Sequence, residues 1–466
     1  MRAALSLPEP YEAGDPAIRR AGISLFLAGV AVFALLYSPQ PLLPELSARF
    51  RVSPAAATLS VSLTTLTLAV GLLVAGPVSE RLGRTWLVHL SLGAASVLGL
   101  LCAVAPSWEF LLVGRSLQGL ALAGLPAVGV AYLNEEVHRT VAGSATGLYV
   151  GGNAIGGMVG RLLSGALDDL GGWRLALGGI AVLGSLCTVA VVLLLPRSRR
   201  FVPGQPGLRA VVRNTRGVLS DPVLLGLYAL AALLMSAFVG VFNALGFRLE
   251  GAPYLLSTAV AGLVFLVYAL GSVSSTVAGR LADRLGRRPV VPVAVALMLV
   301  GVALTAVSPL VGVVAGLAVM TIGFFGAHGV ASGWVAARAG LGGRATAQAA
   351  SAYLFAYYAG SSVGGSLAGR AWSSNGWAGV TLLACGFVVA ALAVTLLLAR
   401  STSLLARGNP PGRLLTARAV PRAPRPRPAA EEPVPTRTWK GPRRDRQAAH
   451  PGCGATSGRA SRCRRH

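Results

Sequence analysis

Acidic residues are few in this chain, and their positions say more than their number. There are 16 Asp and Glu against 41 Lys and Arg, and none of the 16 falls in the middle of a long apolar run. A carboxylate placed to select a cationic solute is therefore missing from those runs. Charge of either sign is sparse, at 12% of residues, about half of what a soluble domain carries. Cysteine gives no framework. Cys102, Cys187 and Cys385 sit in apolar runs, where a small hydrophobe suffices, and Cys453 and Cys463 stand too far apart for a metal motif. No nucleophile–base pair, His/Cys zinc set or strand-led glycine loop lies in the runs. These gaps argue against an enzyme, a resident metal and a bound cofactor. Glu9, Glu12 and Asp15 precede any apolar run, which is unlike a cleaved signal peptide.

What is abundant is apolar surface. Hydrophobic residues make up 54% of the 466, with 59 glycines among them. They fall in blocks of about 20 over the first 400 positions, enough for a helix to cross a hydrocarbon core of about 30 Å. The blocks predict helices at 21–46, 55–77, 85–105, 108–131, 143–167, 173–195, 222–247, 257–279, 289–308, 310–334, 345–370 and 377–399. Basic residues orient them. The N-terminus and the even-numbered loops hold 18 arginines, against five on the other side. The positive-inside rule then puts both termini in the cytoplasm, in a multi-pass protein of the cell (inner) membrane. A six-arginine linker at 196–221 reads as a solvated connection in contact with anionic headgroups. The tail at 400–466 has 16 basic residues against Glu431, Glu432 and Asp445. It reads as a disordered cytoplasmic extension attracted to membrane lipid. With Trp439 as its single aromatic, it gives no stacking platform for nucleic acid.

The chain also repeats itself. Gly279-Arg-Leu-Ala-Asp-Arg-Leu-Gly-Arg-Arg288 closes one apolar run, and Gly76-Pro-Val-Ser-Glu-Arg-Leu-Gly-Arg84 closes another. Gly76 matches Gly279, Glu80 matches Asp283, Arg81 matches Arg284, Gly83 matches Gly286 and Arg84 matches Arg287. A second pair is Gly152-Asn-Ala-Ile-Gly156-Gly157 and Gly360-Ser-Ser-Val-Gly364-Gly365. Small residues four apart make a face on which two helix backbones can approach. Two related halves follow, 21–195 and 222–399, after a short N-terminal segment 1–20. The fold class is an all-α polytopic membrane protein with 12 transmembrane helices in two six-helix halves.

The Gly-x-x-x-Asp-Arg-x-Gly-Arg-Arg pattern resembles the signature loop of the major facilitator superfamily. The second copy matches fully, and the first carries Glu80 and Pro77 instead. Arg115-Ser-Leu-Gln118-Gly119 resembles the fourth-helix motif of drug:proton antiporters. The glycine run around Asn153 resembles the fifth-helix motif of efflux-type facilitators, with Asn153-Ala154 in place of its proline. Gly323-Phe-Phe-Gly-Ala-His328, followed by Ser332-Gly-Trp334, resembles the tenth helix of YnfM-type permeases. The resemblance covers about residues 20–400. It implies a central cavity lined by the first, fourth, seventh and tenth helices, whose polar residues here are Gln40, Arg115, Gln118, Asn243 and His328. It also implies that the loops Gly76–Arg84 and Gly279–Arg288 gate the cycle.

Candidate residues carry two readings each. Gln40 lies among Pro39, Pro41 and Pro44 and either lines a path or caps a bent helix end. Arg115 and Gln118 share a helix face, as a transport surface or as a hydrogen-bonded brace. His328 either titrates or packs. Tyr357, with Tyr353 and Tyr358, either lines the path or fills space. Arg115 and Arg161 fall at one depth, and Glu45, Glu109 and Asp168 at the outer mouth are the carboxylates that could couple them to protons. The leading function is a secondary transporter, alternating access, with proton-coupled export of a small organic molecule. An importer or facilitative carrier, and a non-transporting sensor or scaffold acting through the tail, are the alternatives.

Overall fold

The computed structural model describes residues 9–12, 14–201, 208–341 and 345–400, with the side chains at 139–140, 142 and 208–212 also outside the description. Most of the basic tail, Arg344 and the middle of the linker lie outside the described residues. The crossings are α1 (Pro16–Tyr37), α2 (Pro54–Leu82), α3 (Arg84–Ala103), α4 (Trp108–Glu136), α7 (Pro222–Glu250), α8 (Thr258–Leu285), α9 (Arg287–Leu304) and α10 (Leu310–Leu341). Two further segments, Gly143–Leu194 and Thr346–Arg400, are 52 and 55 residues long, about twice the length of a crossing. Each is broken by non-helical backbone, at Gly171–Gly172 and at Asn375–Gly376. They supply α5 (143–170) with α6 (173–194), and α11 (346–374) with α12 (377–400). Twelve crossings result among the described residues.

Helix starts follow local chemistry. Asp15 accepts from the Ala17 N–H and precedes Pro16, and Asp221 accepts from the Val223 and Leu224 N–H groups and precedes Pro222. Ser53, Ser107 and Ser257 cap α2, α4 and α8 in the same way. A capping oxygen satisfies an N–H that the helix leaves open, and proline at the first position loses nothing.

The signature loops share one backbone device. Gly83 has φ 99° and ψ 151°, and Gly286 has φ 87° and ψ 159°. That region is essentially reserved for glycine. One residue there reverses the chain from α2 to α3 and from α8 to α9, which is why both copies keep it.

The glycine pairs act through close approach. A Cβ on Gly152 or Gly156 would collide with the main chain of Phe26 or Val30 on α1, and one on Gly360 or Gly364 with Ala232 or Ser236 on α7. The α1–α5 and α7–α11 pairs are therefore packed backbone to backbone. Outward-facing positions are aliphatic, such as Val74, Leu193, Val273 and Leu382, as a lipid-facing surface requires.

Two expectations are corrected. The first helix ends at Tyr37 rather than 46, because the Pro39–Pro41 segment breaks it, and a separate short helix, Leu43–Phe50, follows. The linker is not simply a loop. It contains a helix, Leu208–Leu219, whose arginines 209, 213 and 216 recur at helical spacing.

Candidate functional site

The two halves touch at the end of the molecule away from the signature loops. Gln40 Nε2 donates to Asn243 Oδ1 at 2.7 Å, joining the segment after α1 to α7. The Ala259 N–H of α8 donates to Asp169 Oδ2 at 3.3 Å, and α5 meets α8 where Gly165 packs on the Thr258 carbonyl. Toward the signature loops a cavity of about 360 Å³ opens between the halves. Its wall comes from α1, α5, α7, α8, α10 and α11, and includes Tyr37, Asn153, Arg161, Phe238, His328 and Tyr357. A groove of about 420 Å³ between α8 and α9 is lined by Val277, Leu285, Val293 and similar residues. It is aliphatic and faces outward, so we assign it to lipid chains.

Arg161 is the single charged residue of the cavity wall among the described residues. It is 2% exposed. Its Nε donates to Gln40 Oε1 at 2.6 Å and its Nη1 to the Gly157 carbonyl. Its guanidinium lies 4.4 Å from the Tyr37 ring centre, 4.6 Å from Tyr268 and 5.1 Å from Phe265. Such ring faces attract a cation. Across the cavity Phe324 stacks on Phe238 at 3.9 Å, and His328 lies 4.7 Å from Tyr357. Tyr353 contacts His328 Nδ1 at 2.9 Å.

Arg115 is placed differently. It is 1% exposed and absent from the cavity wall. Nε donates to the Ser60 carbonyl at 3.1 Å, Nη1 to the Leu35 carbonyl at 2.9 Å and to Gln118 Oε1, and Nη2 to the Leu36 carbonyl at 2.7 Å. Gln118 passes the chain on to the Ala95 carbonyl at 2.8 Å. This is a brace tying α4 to α1, α2 and α3. The residues Arg115 and Arg161, expected at one level, do not meet at a common carboxylate among the described residues.

The outer carboxylates divide as well. Glu45 faces Asp168, and its backbone neighbour in the α5–α6 turn is Trp173. Glu250 of α7 lies in the same group. Burial, then the Asp168 carboxyl, push the Glu45 carboxyl up to about 8. Glu109 stands exposed, with no hydrogen bond or ion pair recorded among the described residues.

The signature loops differ in partners. Arg84 pairs with Glu135 at the end of α4 at 2.8 Å and also donates to Ser79. Glu80 takes neither contact. Asp283 and Arg284 are exposed, and no ion pair forms across that loop among the described residues. The second half instead carries Arg338–Asp221, 3.0 Å, which ties the end of α10 to the start of α7. The hydrogen bonds from Arg338, Val223 and Leu224 outweigh the burial of Asp221 and lower its pKa.

Of the residues singled out from sequence, Asn153, Arg161, His328 and Tyr357 line the cavity. Gln40 and Asn243 are buried behind Arg161 and are not part of the cavity wall. Sequence reasoning missed Phe33, Phe238, Tyr268 and Glu135. The aromatic residues come from separate helices and have no common motif. Glu135 was signalled only by an acidic pair, Glu135-Glu136, in an acid-poor chain.

The sequence model of the Major Facilitator Superfamily matches residues 25–264 and 250–455. The uncharacterized MFS-type transporter YybF of Bacillus subtilis (strain 168) is 41% identical over 399 residues, covering 86% of this chain and 98% of that protein. The inner membrane transport protein YnfM of Escherichia coli (strain K12) is 41% identical over 391 residues, covering 84% and 93%. A bacterial homologue of the human lysosomal transporter Spinster, in an inward-facing unoccupied conformation, aligns with a TM-score of 0.69 at 16% identity, over 85% of this chain and 100% of that one.

Proposed function

The chain belongs to the major facilitator superfamily and is a multi-pass membrane transporter, and we propose that it exports a small organic molecule by proton-coupled alternating access through the cavity at Arg161. The observation that carries this reading is the placement of the cavity. It lies between two repeat-related halves, sealed at one end by Gln40–Asn243 and by α5 against α8. Rocking the halves about this site would expose it to each side in turn. Export is supported by the likeness of the fourth- and fifth-helix motifs to efflux-type facilitators.

Proton coupling is supported by the far-end carboxyls. Glu45, Arg49, Asp168 and Trp173 all belong to the N-terminal half, and Glu250 of α7 meets that group from the C-terminal half while that end is closed. Two carboxyls can face one another when one holds a proton. Opening would hydrate Glu45 and relieve the burial that is the largest cause of its raised pKa, so a carboxyl held near 8 in the closed form favours closure in acid. That preference weakens as pH rises toward 8 and levels off above it. Closure at the far end would thus take up a proton. The orientation follows the arginines, with both termini in the cytoplasm.

Reporter fusions at residues 200 and 405 should both give cytoplasmic signals. Everted vesicles from overproducing cells, energised to acid inside, should accumulate a cargo from a panel of organic solutes and lose it when the proton gradient is collapsed. Accumulation by right-side-out vesicles alone would make the protein an importer.

A further inference from the structure

We propose that the cavity takes an organic anion with a flat apolar body, its carboxylate or equivalent acid held by Arg161 and its body against the aromatic wall. The inference rests on the transporter reading and adds the class of cargo to it.

Charge comes first. Among the described residues no Asp or Glu contributes to the cavity wall, and Arg161 is its one ion. A cation so shielded is costly unless it is compensated. Arg115 is compensated by three main-chain carbonyls and a side-chain amide. Arg161 has two acceptors, Gln40 and Gly157. Its Nη2 has no hydrogen bond among the described residues, and it is not among the sealed, unpartnered atoms. The ring faces of Tyr37, Tyr268 and Phe265 support the charge in the meantime. They leave the Nη2 hydrogens without an oxygen acceptor, and a planar carboxylate is the partner a guanidinium fork fits best.

The polar network behind Arg161 points the same way. Arg161 donates to Gln40, and Gln40 donates to Asn243. The Asn243 Nδ2 is buried without an acceptor. The Arg161 end of this chain faces the cavity, whereas Gln40 and Asn243 are not in its wall. That end calls for an acceptor, and it would repel a cationic head group. The aromatic walls could by themselves cradle a cation, but not beside an uncompensated arginine.

Shape gives the body. Phe238 and Phe324 are stacked nearly parallel, 12° apart, and Phe324 and His328 are parallel within 4°. Tyr357 and Tyr268 close the sides. A cavity of about 360 Å³ fits one molecule of one or two rings better than an extended chain.

The test uses the purified full-length protein in detergent and three naphthalene probes of one size: 2-naphthoate, 2-naphthamide and 2-naphthylmethylamine. Thermal unfolding should shift upward, saturably, with 2-naphthoate alone. Arg161→Gln should weaken that response by roughly 10–100-fold, the worth of a charge-assisted contact, and Arg161→Lys should keep part of it. An equal shift with the amide or the amine, or an undiminished naphthoate shift in Arg161→Gln, would overturn the proposal. If Arg161→Gln does not purify, Phe324→Ala must weaken the naphthoate response, and failure to do so also overturns it. Labelled naphthoate in proteoliposomes separates this from the transport reading. Binding without flux breaks the transport reading and leaves the anion site standing. Flux of a neutral cargo without naphthoate binding does the reverse.

Discussion

Two arginines of the N-terminal half, equally hidden from water, sit in opposite circumstances. Arg115 spends its donors on the carbonyls of Leu35, Leu36 and Ser60 and on Gln118. Arg161 has two acceptors, a ring of aromatic faces and a cavity in front of it. The price of burying a guanidinium is thus met inside the fold in one case and left partly open in the other. Burial alone does not mark a transport residue. The tally of satisfied donors does.

The largest effect expected from this contrast is at Arg115. Arg115→Lys offers three donors from a point charge to four acceptors arranged for a fork. A lysine ammonium does not reach both the Leu36 carbonyl and Gln118 Oε1, which have no other donor among the described residues, at a cost of roughly 1–3 kcal/mol. Folded yield should fall sharply, and charge should not rescue it. If Arg115→Lys purifies like wild type but transports nothing, the brace reading fails and Arg115 joins the transport machinery.

Arg161→Lys should do the opposite. Yield should hold, while the apparent affinity for cargo drops by about tenfold or more, because a lysine keeps the charge and loses the bidentate geometry. Concentration dependence of flux in proteoliposomes reads this directly.

A third contrast lies between the far end and the signature-loop end. Far-end closure should loosen as pH rises from about 5 to 8 and change little above that, because the Glu45 carboxyl is pushed up to about 8. Spin labels across the α1–α7 mouth can follow it. Glu45→Gln, neutral at every pH, should flatten the profile. An unchanged profile in that variant would move proton coupling to another group.

The smallest effects should come from the signature loops. Glu135→Gln removes a partner of Arg84 that is 30% exposed, worth about 1 kcal/mol or less, and should slow transport several-fold. Asp283→Asn should slow it as well without changing thermal stability, since Asp283 makes no contact in this conformation among the described residues. Glu80→Gln should be nearly silent. A stability loss in Asp283→Asn comparable to Glu135→Gln would mean that the two loops are equivalent after all.

Much of the fold was legible because the signals are local. Runs of membrane length, the glycine that alone tolerates the turn at Gly83 and Gly286, and glycines four apart on α5 and α11 each need one stretch of chain to be read. The end of α1 was misplaced because apolar Leu42 and Leu43 continue the run past the prolines that stop the helix. The site was less legible. Arg161 was visible as a charge in an apolar run, but its cage draws Tyr37 from α1 and Phe265 and Tyr268 from α8, in different halves. Arg115 was visible in a motif, yet its role depends on carbonyls of α1 and α2, which carry no sequence signature. Glu135 was hidden because an ion pair across 51 residues leaves no local pattern.

The most direct measurement is the melting temperature of purified Arg115→Ala and Arg161→Ala beside wild type, with no ligand added. Arg115→Ala should fall by several degrees or fail to fold, since the Leu36 carbonyl and Gln118 Oε1 lose their donor and the Leu35 and Ser60 carbonyls are left with the Ser38 and Thr64 hydroxyls. Arg161→Ala should lose less than half as much, since it strands one buried acceptor, Gln40 Oε1, and removes an incompletely compensated charge. Equal losses in the two variants would contradict the account, because Arg161 would then be as much a brace as Arg115.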